Sequence, residues 1–208
     1  VTPKSSSQTI KPPRQAAYTA RNRAAILKAA QHVLADIGPS ATIEQIVGYA
    51  QVSPTTIYKY FSNREVLLAE ALADIWDEWV AVNESNRTTK DDLEDFIDTA
   101  RKFFRLNASN PTFGKILKNT LGNPEFVIQS VSGPARIALK TVAENGALEI
   151  ENFETRLYLF SYALAGIATA VYVSETMTPK QADEALVLAV ELFNVDADSA
   201  RKIIAKKL

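Results

Sequence analysis

The chain has 208 residues, no cysteine and a formal net charge of −1. That length suffices for a substantial core in one or two domains, and the absence of cysteine excludes a disulfide framework and thiolate chemistry, which suits a reducing cytosol. The near-neutral total conceals a division: residues 1–64 hold eight Lys or Arg against two acids, +6, and the remainder fifteen against twenty-two, −7. A basic head on an acidic body fits a protein that meets a polyanion at one end, because neutralising phosphates releases counterions. A basic, solvated tail carrying Lys4, Lys11 and Arg14 produces the same bias. No secretory signal is recognised, and the longest uncharged run, Leu157 to Ser174, contains tyrosine, serine, threonine and glycine, which argues against a membrane span. A cytoplasmic protein without a membrane partner is expected.

Residues 1–18 are rich in Pro, Ser and Lys and lack an apolar period, so a flexible basic arm is expected, either reaching a DNA groove or merely solvated. A first helix runs from Thr19 or Arg21 to Ile37, where Gly38-Pro39 ends it, with Ile26, Ala30, Val33, Leu34 and Ile37 facing inward. His32, the only histidine, falls on its polar side, with nothing to complete a triad or a metal site. Thr42 and Gln45 form a capping box that opens a helix from Ile43 to Ala50. Ser53 caps a second, with Pro54 at its first position, where a missing N–H costs nothing. Ser62 and Glu65 read as a further capping box, starting a long helix near Asn63 with Leu67, Leu68, Leu72, Ile75 and Trp79 on one stripe. Three helix starts in about two dozen residues indicate a helix-turn-helix domain over residues 19–64.

The short helix from Pro54 to about Phe61 turns Ile57 and Phe61 inward, leaving Thr55, Thr56, Tyr58, Lys59 and Tyr60 outside. Those hydroxyls, that cation and those polar-tipped rings suit phosphate oxygens, thymine methyls and base edges. The ordered set Thr42, Ile43, Ile46, Ala50, Val52, Ser53, Thr56, Ile57, Tyr58, Tyr60, Phe61 and Leu67 resembles the DNA-binding signature of the tetracycline-repressor (TetR) family of bacterial transcription regulators, over roughly residues 21–72. The resemblance implies that Thr42, Tyr58, Tyr60 and Arg64 contact phosphates, that Pro54, Thr55 and Lys59 face bases beside Ser53, and that Thr56 bridges both roles. Two residues depart from the family pattern. Gln51 stands where glycine is usual in the turn, at about 1 kcal/mol if the turn is left-handed. Thr55 stands where many members carry glycine, so the operator need not match theirs.

Residues 65–208 read as a helical regulatory and dimerisation domain, making the whole chain all-α. A connector helix spans Glu65 to Asn83. Further helices follow from Asp91 or Asp92 to Leu106, from Pro111 to Leu121, and from Pro124 to Glu144, the last kinked or interrupted at Gly133-Pro134. The helix from Asn152 to Ser174 is apolar or small nearly all round and demands cover on every face. With the next, capped by Thr178 and running through Phe193, it suits a four-helix homodimer interface, although two internal helices of a monomer would show the same pattern. A short helix near Asp198 to Lys207 closes the chain. Candidate effector-pocket residues are Trp76, Trp79, Phe96, Phe103, Phe104, Phe113, Leu117, Phe126, Tyr158 and Tyr162, with Asn107, Asn119 or Arg136 as polar anchors.

The function expected from the family is a ligand-responsive regulator, more commonly a repressor, that binds a palindromic DNA operator as a homodimer and releases it for a small apolar or aromatic effector. The alternative is a helical ligand-binding or protein-interaction module that does not bind DNA. No phosphate loop, nucleophile elbow or metal spacing appears, so neither an enzyme nor a cofactor is expected.

Overall fold

The computed structural model describes residues 13–122, 124–146, 148 and 150–208, with backbone alone for 13, 14, 124–132 and 134. Helix α1 spans Pro13–Asp36. It therefore begins before the expected Thr19, and part of the presumed arm is helical: proline is well placed at a first helical position and the alanines behind it favour the helix. The remainder of the arm, residues 1–12, lies outside the described residues. Gly38, at φ +86, ends α1. Ile37, expected to face inward, is exposed just past the helix end.

Helices α2 (Ile43–Ala50) and α3 (Pro54–Tyr60) form the short pair. The Thr42 hydroxyl accepts from the Gln45 N–H while Gln45 accepts from the Thr42 N–H, so the capping box is complete. Gln51, at φ 52 and ψ 40, occupies the left-handed turn between them. Gln51→Gly is accordingly expected to stabilise the protein by about 0.5–1 kcal/mol, about 1–4 °C in Tm. A thermal melt showing no gain would contradict the strain assigned to this turn.

Helix α4 (Arg64–Ser85) is capped by Asn63, whose side chain accepts from the Val66 N–H. Ser62, assigned that role from sequence, precedes the cap by one residue. The headpiece core of Ile26, Val33, Leu34, Ile46, Ile57, Phe61 and Leu67 joins α1 to the other three helices. Polar contacts fasten α1 to α4 as well: Arg23 pairs with Glu70, Lys28 Nζ reaches Glu78 at 2.6 and 2.7 Å, and buried Gln31 donates to Asp74 and to the Ala71 carbonyl.

The body is built from α5 (Asp92–Phe103), α6 (Leu106–Ser109), α7 (Pro111–Thr120), α8 (Pro124–Glu144), α9 (Phe153–Tyr172), α10 (Pro179–Val190) and α11 (Ala197–Ile204). The expected first body helix thus closes as two, α5 and α6. Helix α8, where a kink or an interruption was expected at Gly133-Pro134, runs through both residues as one element. A 3-10 turn, Glu191–Phe193, finishes the α10 run. Helix α8 lies on α9, α9 on α10, and α10 on α5 and α11. Helix α7 packs against α1, and the Asn119 amide donates to the Leu34 and Ala35 carbonyls at the end of α1. Head and body are therefore held together at two places, along α4 and at the α1–α7 contact. No helix among the described residues is long and apolar enough to cross a membrane.

Candidate nucleic-acid interface and ligand cavity

Helix α3 is anchored by one fully buried side chain, Ile57, with Phe61 just beyond its end. The rest of the helix is left outward. Ser53, Thr55, Thr56, Tyr58 and Lys59 line one shallow recess on the surface, with Tyr58 54% exposed. The Ser53 hydroxyl accepts from the Thr56 N–H at 3.2 Å and lies 2.9 Å from the Thr56 hydroxyl, so both side chains also hold the helix start. Pro54 is exposed at the first helical position. Lys59 stands 5.9 Å from the half-buried Tyr60 ring. Thr42 is exposed and already committed as a cap.

Arg64 has a different setting from the one its phosphate role implies. Its Nη1 donates to the Pro39 and Ala41 carbonyls at 3.0 and 2.9 Å, and its Nε and Nη2 donate to Glu65 at 3.0 and 2.9 Å. Of five guanidinium N–H groups, four are engaged. The side chain thus ties the loop before α2 to the start of α4, leaving one donor for DNA. Removing it is expected to lower headpiece stability by about 1–3 kcal/mol, the range for charge-assisted bonds to backbone, and to change the salt dependence of DNA binding by less than one counterion. A stability loss of zero with a full unit of salt slope would restore the phosphate role. Arg23, Lys28 and Arg64 all face carboxylates, whereas no ion pair joins Arg21 or Lys59 to a described residue. The basic bias of the head is consequently concentrated on fewer free cations than the sequence total suggests.

In the body, a cavity of about 640 Å³ opens between α4, α5, α8 and α9. Trp76, Trp79, Phe96 and Phe103, four of the candidate pocket residues, line it, joined by Phe160 and Leu164 of α9. The Trp76 ring lies 5.3 Å from Trp79 and stacks on Phe103 at 5.4 Å, while Phe96 and Phe160 approach to 5.5 Å. The Trp76 indole N–H is buried without an acceptor among the described residues. Asn83, Glu84, Arg87, Asp92, Asp95 and Thr99 give the cavity a polar side that sequence reading did not single out.

Several expected pocket residues do not line this cavity. Phe104, Phe113 and Leu117 are buried core; Phe113 stands edge-on to Trp76 at 5.0 Å. Asn107 packs at Gly114, where an added Cβ would lie 2.4 Å from its Oδ1. Asn119 holds the end of α1. Arg136 lines no part of the cavity and pairs with Glu154. Tyr158 and Tyr162 point outward from α9, their rings 4.7 Å apart and their hydroxyls 3.1 Å apart. The side chain of Phe126 lies outside the described residues. His32, exposed, stacks on Tyr49 at 6.2 Å. Among the described residues no group of three or more metal-binding side chains occurs.

Residues 26–71 match the model of bacterial regulatory proteins of the tetR family. The solved structure of RolR in complex with resorcinol is similar over 93% of this chain and 97% of its own, at 20% identity and a TM-score of 0.70. FadR of Bacillus halodurans, a fatty acid degradation regulator, is similar over 89% and 97%, at 19% identity and a TM-score of 0.58. A TetR-family regulator from Streptomyces coelicolor aligns over 90% and 96%, at 18% identity and a TM-score of 0.55. No curated protein matches the chain by sequence.

Proposed function

We propose, from the match of residues 26–71 to the tetR family of bacterial regulatory proteins, that the chain is a repressor of that family that holds a palindromic operator as a homodimer and releases it when a small apolar or aromatic effector fills the cavity. Regulators of this family are DNA-binding proteins rather than enzymes. The observation that carries the reading is the outer face of α3: three hydroxyls, a phenol and a lysine around one shallow recess, on a helix fixed by a single buried isoleucine. Such a helix contributes little to the core. Its composition suits a major groove, where hydroxyls and a phenol meet phosphates and Thr55 with Lys59 meets base edges.

Pairing follows from the outer faces of α9 and α10. Leu159 and Tyr162 on α9, Val173 just past its end and Leu188 on α10 are exposed side chains with large apolar parts on adjacent helices, the pattern of a self-complementary two-fold contact. Two headpieces then stand roughly 34 Å apart, one turn of the duplex. The cavity sets that separation. Six of its lining residues, Trp76, Asp77, Trp79, Val80, Asn83 and Glu84, belong to α4, which is fastened to α1 nearer its start. An effector that shifts α4 must carry the headpiece with it, and by linkage binds less well to the DNA complex. The Trp76 N–H, which has no acceptor among the described residues, and the resorcinol carried by the similar RolR structure support a ligand role for the cavity and an aromatic occupant.

A mobility-shift titration on DNA upstream of the protein's own gene, at two salt concentrations, tests the reading against the non-DNA-binding alternative. Tyr58→Phe is expected to weaken operator and random DNA alike by about 1 kcal/mol. Thr55→Ala is expected to change the ratio between them by about fivefold. Equal losses on both DNAs for Thr55→Ala would remove its base-reading role.

A further inference from the structure

The cavity is lined by both aromatic rings and carboxylates, and its acids are unevenly compensated. Among its described lining residues are four carboxylates, Asp77, Glu84, Asp92 and Asp95, against one cation, Arg87. Arg87 is engaged with Asp92, donating at 2.6 Å, and with the Thr89 carbonyl at 2.8 Å. Asn145 also donates to Asp92, and these two hydrogen bonds hold the Asp92 carboxyl below its ordinary range.

Asp95 is left with much less. Arg87 Nε stands 3.6 Å away, beyond hydrogen-bond distance, and no described residue donates a hydrogen bond to the carboxylate, although its side chain is only 28% exposed. Burial pushes its carboxyl above the usual range, outweighing the attraction of Arg87. A half-buried acceptor in a ligand-sized cavity therefore has no hydrogen-bond donor among the described residues, and its countercharges are Arg87, which it shares with Asp92, and Lys102. Trp76 and Trp79 line the same cavity, and tryptophan is the side chain that attracts cations most strongly through its ring quadrupole. An anionic occupant would meet the surplus of carboxylates, and a neutral one would leave it uncompensated.

Resting on the reading of this cavity as an effector site, we propose that its ligand class is the lipophilic organic cation: a protonated amine donates to the Asp95 carboxylate while its apolar or aromatic body lies against Trp76, Trp79 and Phe96. Asp77 and Glu84, exposed at the rim, add long-range attraction that salt screens. Asp95 supplies the close contact.

Three probes of one shape and different charge test this on the full chain: 4-phenylbutylammonium, 4-phenylbutanol and 4-phenylbutyrate. Affinities are read by isothermal titration calorimetry. The emission of Trp76 and Trp79, the two tryptophans of the chain, reports occupancy of the cavity. The ammonium is expected to bind ~10-fold or more tightly than the alcohol, the scale of one charge-assisted hydrogen bond, with the carboxylate weakest. Asp95→Asn keeps the side-chain shape and is expected to bring the ammonium within about twofold of the alcohol. Equal or tighter binding of the alcohol or carboxylate, an ammonium preference that survives Asp95→Asn, or no binding of any probe would overturn the assignment. The wild-type ranking alone decides the charge preference should the variant fail to fold. Failure here with operator binding intact leaves the regulator reading standing, whereas the expected ranking with no effect on DNA release upholds the assignment and removes the regulatory one.

Discussion

Replacing Asp183 by alanine is expected to destabilise the protein by about 3–5 kcal/mol, the cost of breaking a buried ion pair from one side. Asp183 sits on α10 at 4% exposure and receives both terminal nitrogens of Arg105, at 2.8 and 2.6 Å, with Arg101 Nε 3.4 Å from the same carboxylate. Arg101, itself buried, also donates to Asp98 at 2.8 Å and to the Lys206 carbonyl at 3.2 Å. One acid thus closes a cluster of two arginines and two aspartates joining α5, α10 and the end of the chain. Next to it the buried Tyr172 hydroxyl donates to the Phe103 carbonyl and accepts from the Leu106 N–H, and burial pushes its phenol up to about 12, so it keeps its proton. Without Asp183, Arg101 retains one carboxylate for a charge that cannot reach water, whereas Arg105, 30% exposed, can turn outward. Asp183→Ala should therefore lower Tm by about 6–20 °C, and Arg105→Ala by less. Replacing Asp183, Arg101 and Asp98 together with apolar residues of similar volume should recover much of the loss, since desolvation opposes the attraction within the cluster. A melt of Asp183→Ala within 1 kcal/mol of wild type would show that the cluster is solvated in solution.

Local chemistry was legible in the sequence, and partnership between distant segments was not. Thr42, Ser53 with Pro54, and Thr178 cap where expected because a cap is settled within four residues by one side chain and one N–H. Ser62 and Asn63 are both competent caps, and the helix took the second, a difference of one residue that sequence does not resolve. The outward face of α3 was readable because seven residues with one buried anchor leave little choice of side. Arg64 was not, since its partners are the Pro39 and Ala41 carbonyls, more than twenty residues away. Aromatic periodicity marks which side chains share a helix face but not what covers that face. Hence Trp76 and Trp79 line the cavity while Phe113 packs behind them, and Tyr158 and Tyr162 face outward instead of in. The polar half of the cavity was hidden for the opposite reason: Asp92 and Asp95 read correctly as the acidic first turn of α5, and only the packing of α8 and α9 beside them makes that turn a wall.

The double substitution Leu159→Glu and Leu188→Glu is expected to separate the proposed homodimer and to lower affinity for the proposed operator by about 100- to 10,000-fold, the advantage that linking two binding modules provides. Both leucines are exposed in the protomer, at 48% and 65%, so neither change opens a cavity within the chain. Leu159, Tyr162 and Gly166 of α9 and Val173 just past its end are exposed at helical spacing, with half-buried Ala170 between, and a Cβ built at Gly166 meets no described atom within 4 Å. A second α9 can approach closely there, with the outward side chains of α10 beside it. Four carboxylates introduced at a two-fold axis would have to be buried together, which costs far more than the apolar contact they replace. The protomer itself should melt within about 0.5 kcal/mol of its unperturbed value when compared as a monomer, as surface substitutions do. Sedimentation velocity and a mobility-shift titration on one preparation separate the two halves of the argument. A variant that remains dimeric places the interface elsewhere. A monomer that holds the operator as tightly as wild type means that one headpiece suffices, and then no change in spacing driven from the cavity could release the DNA.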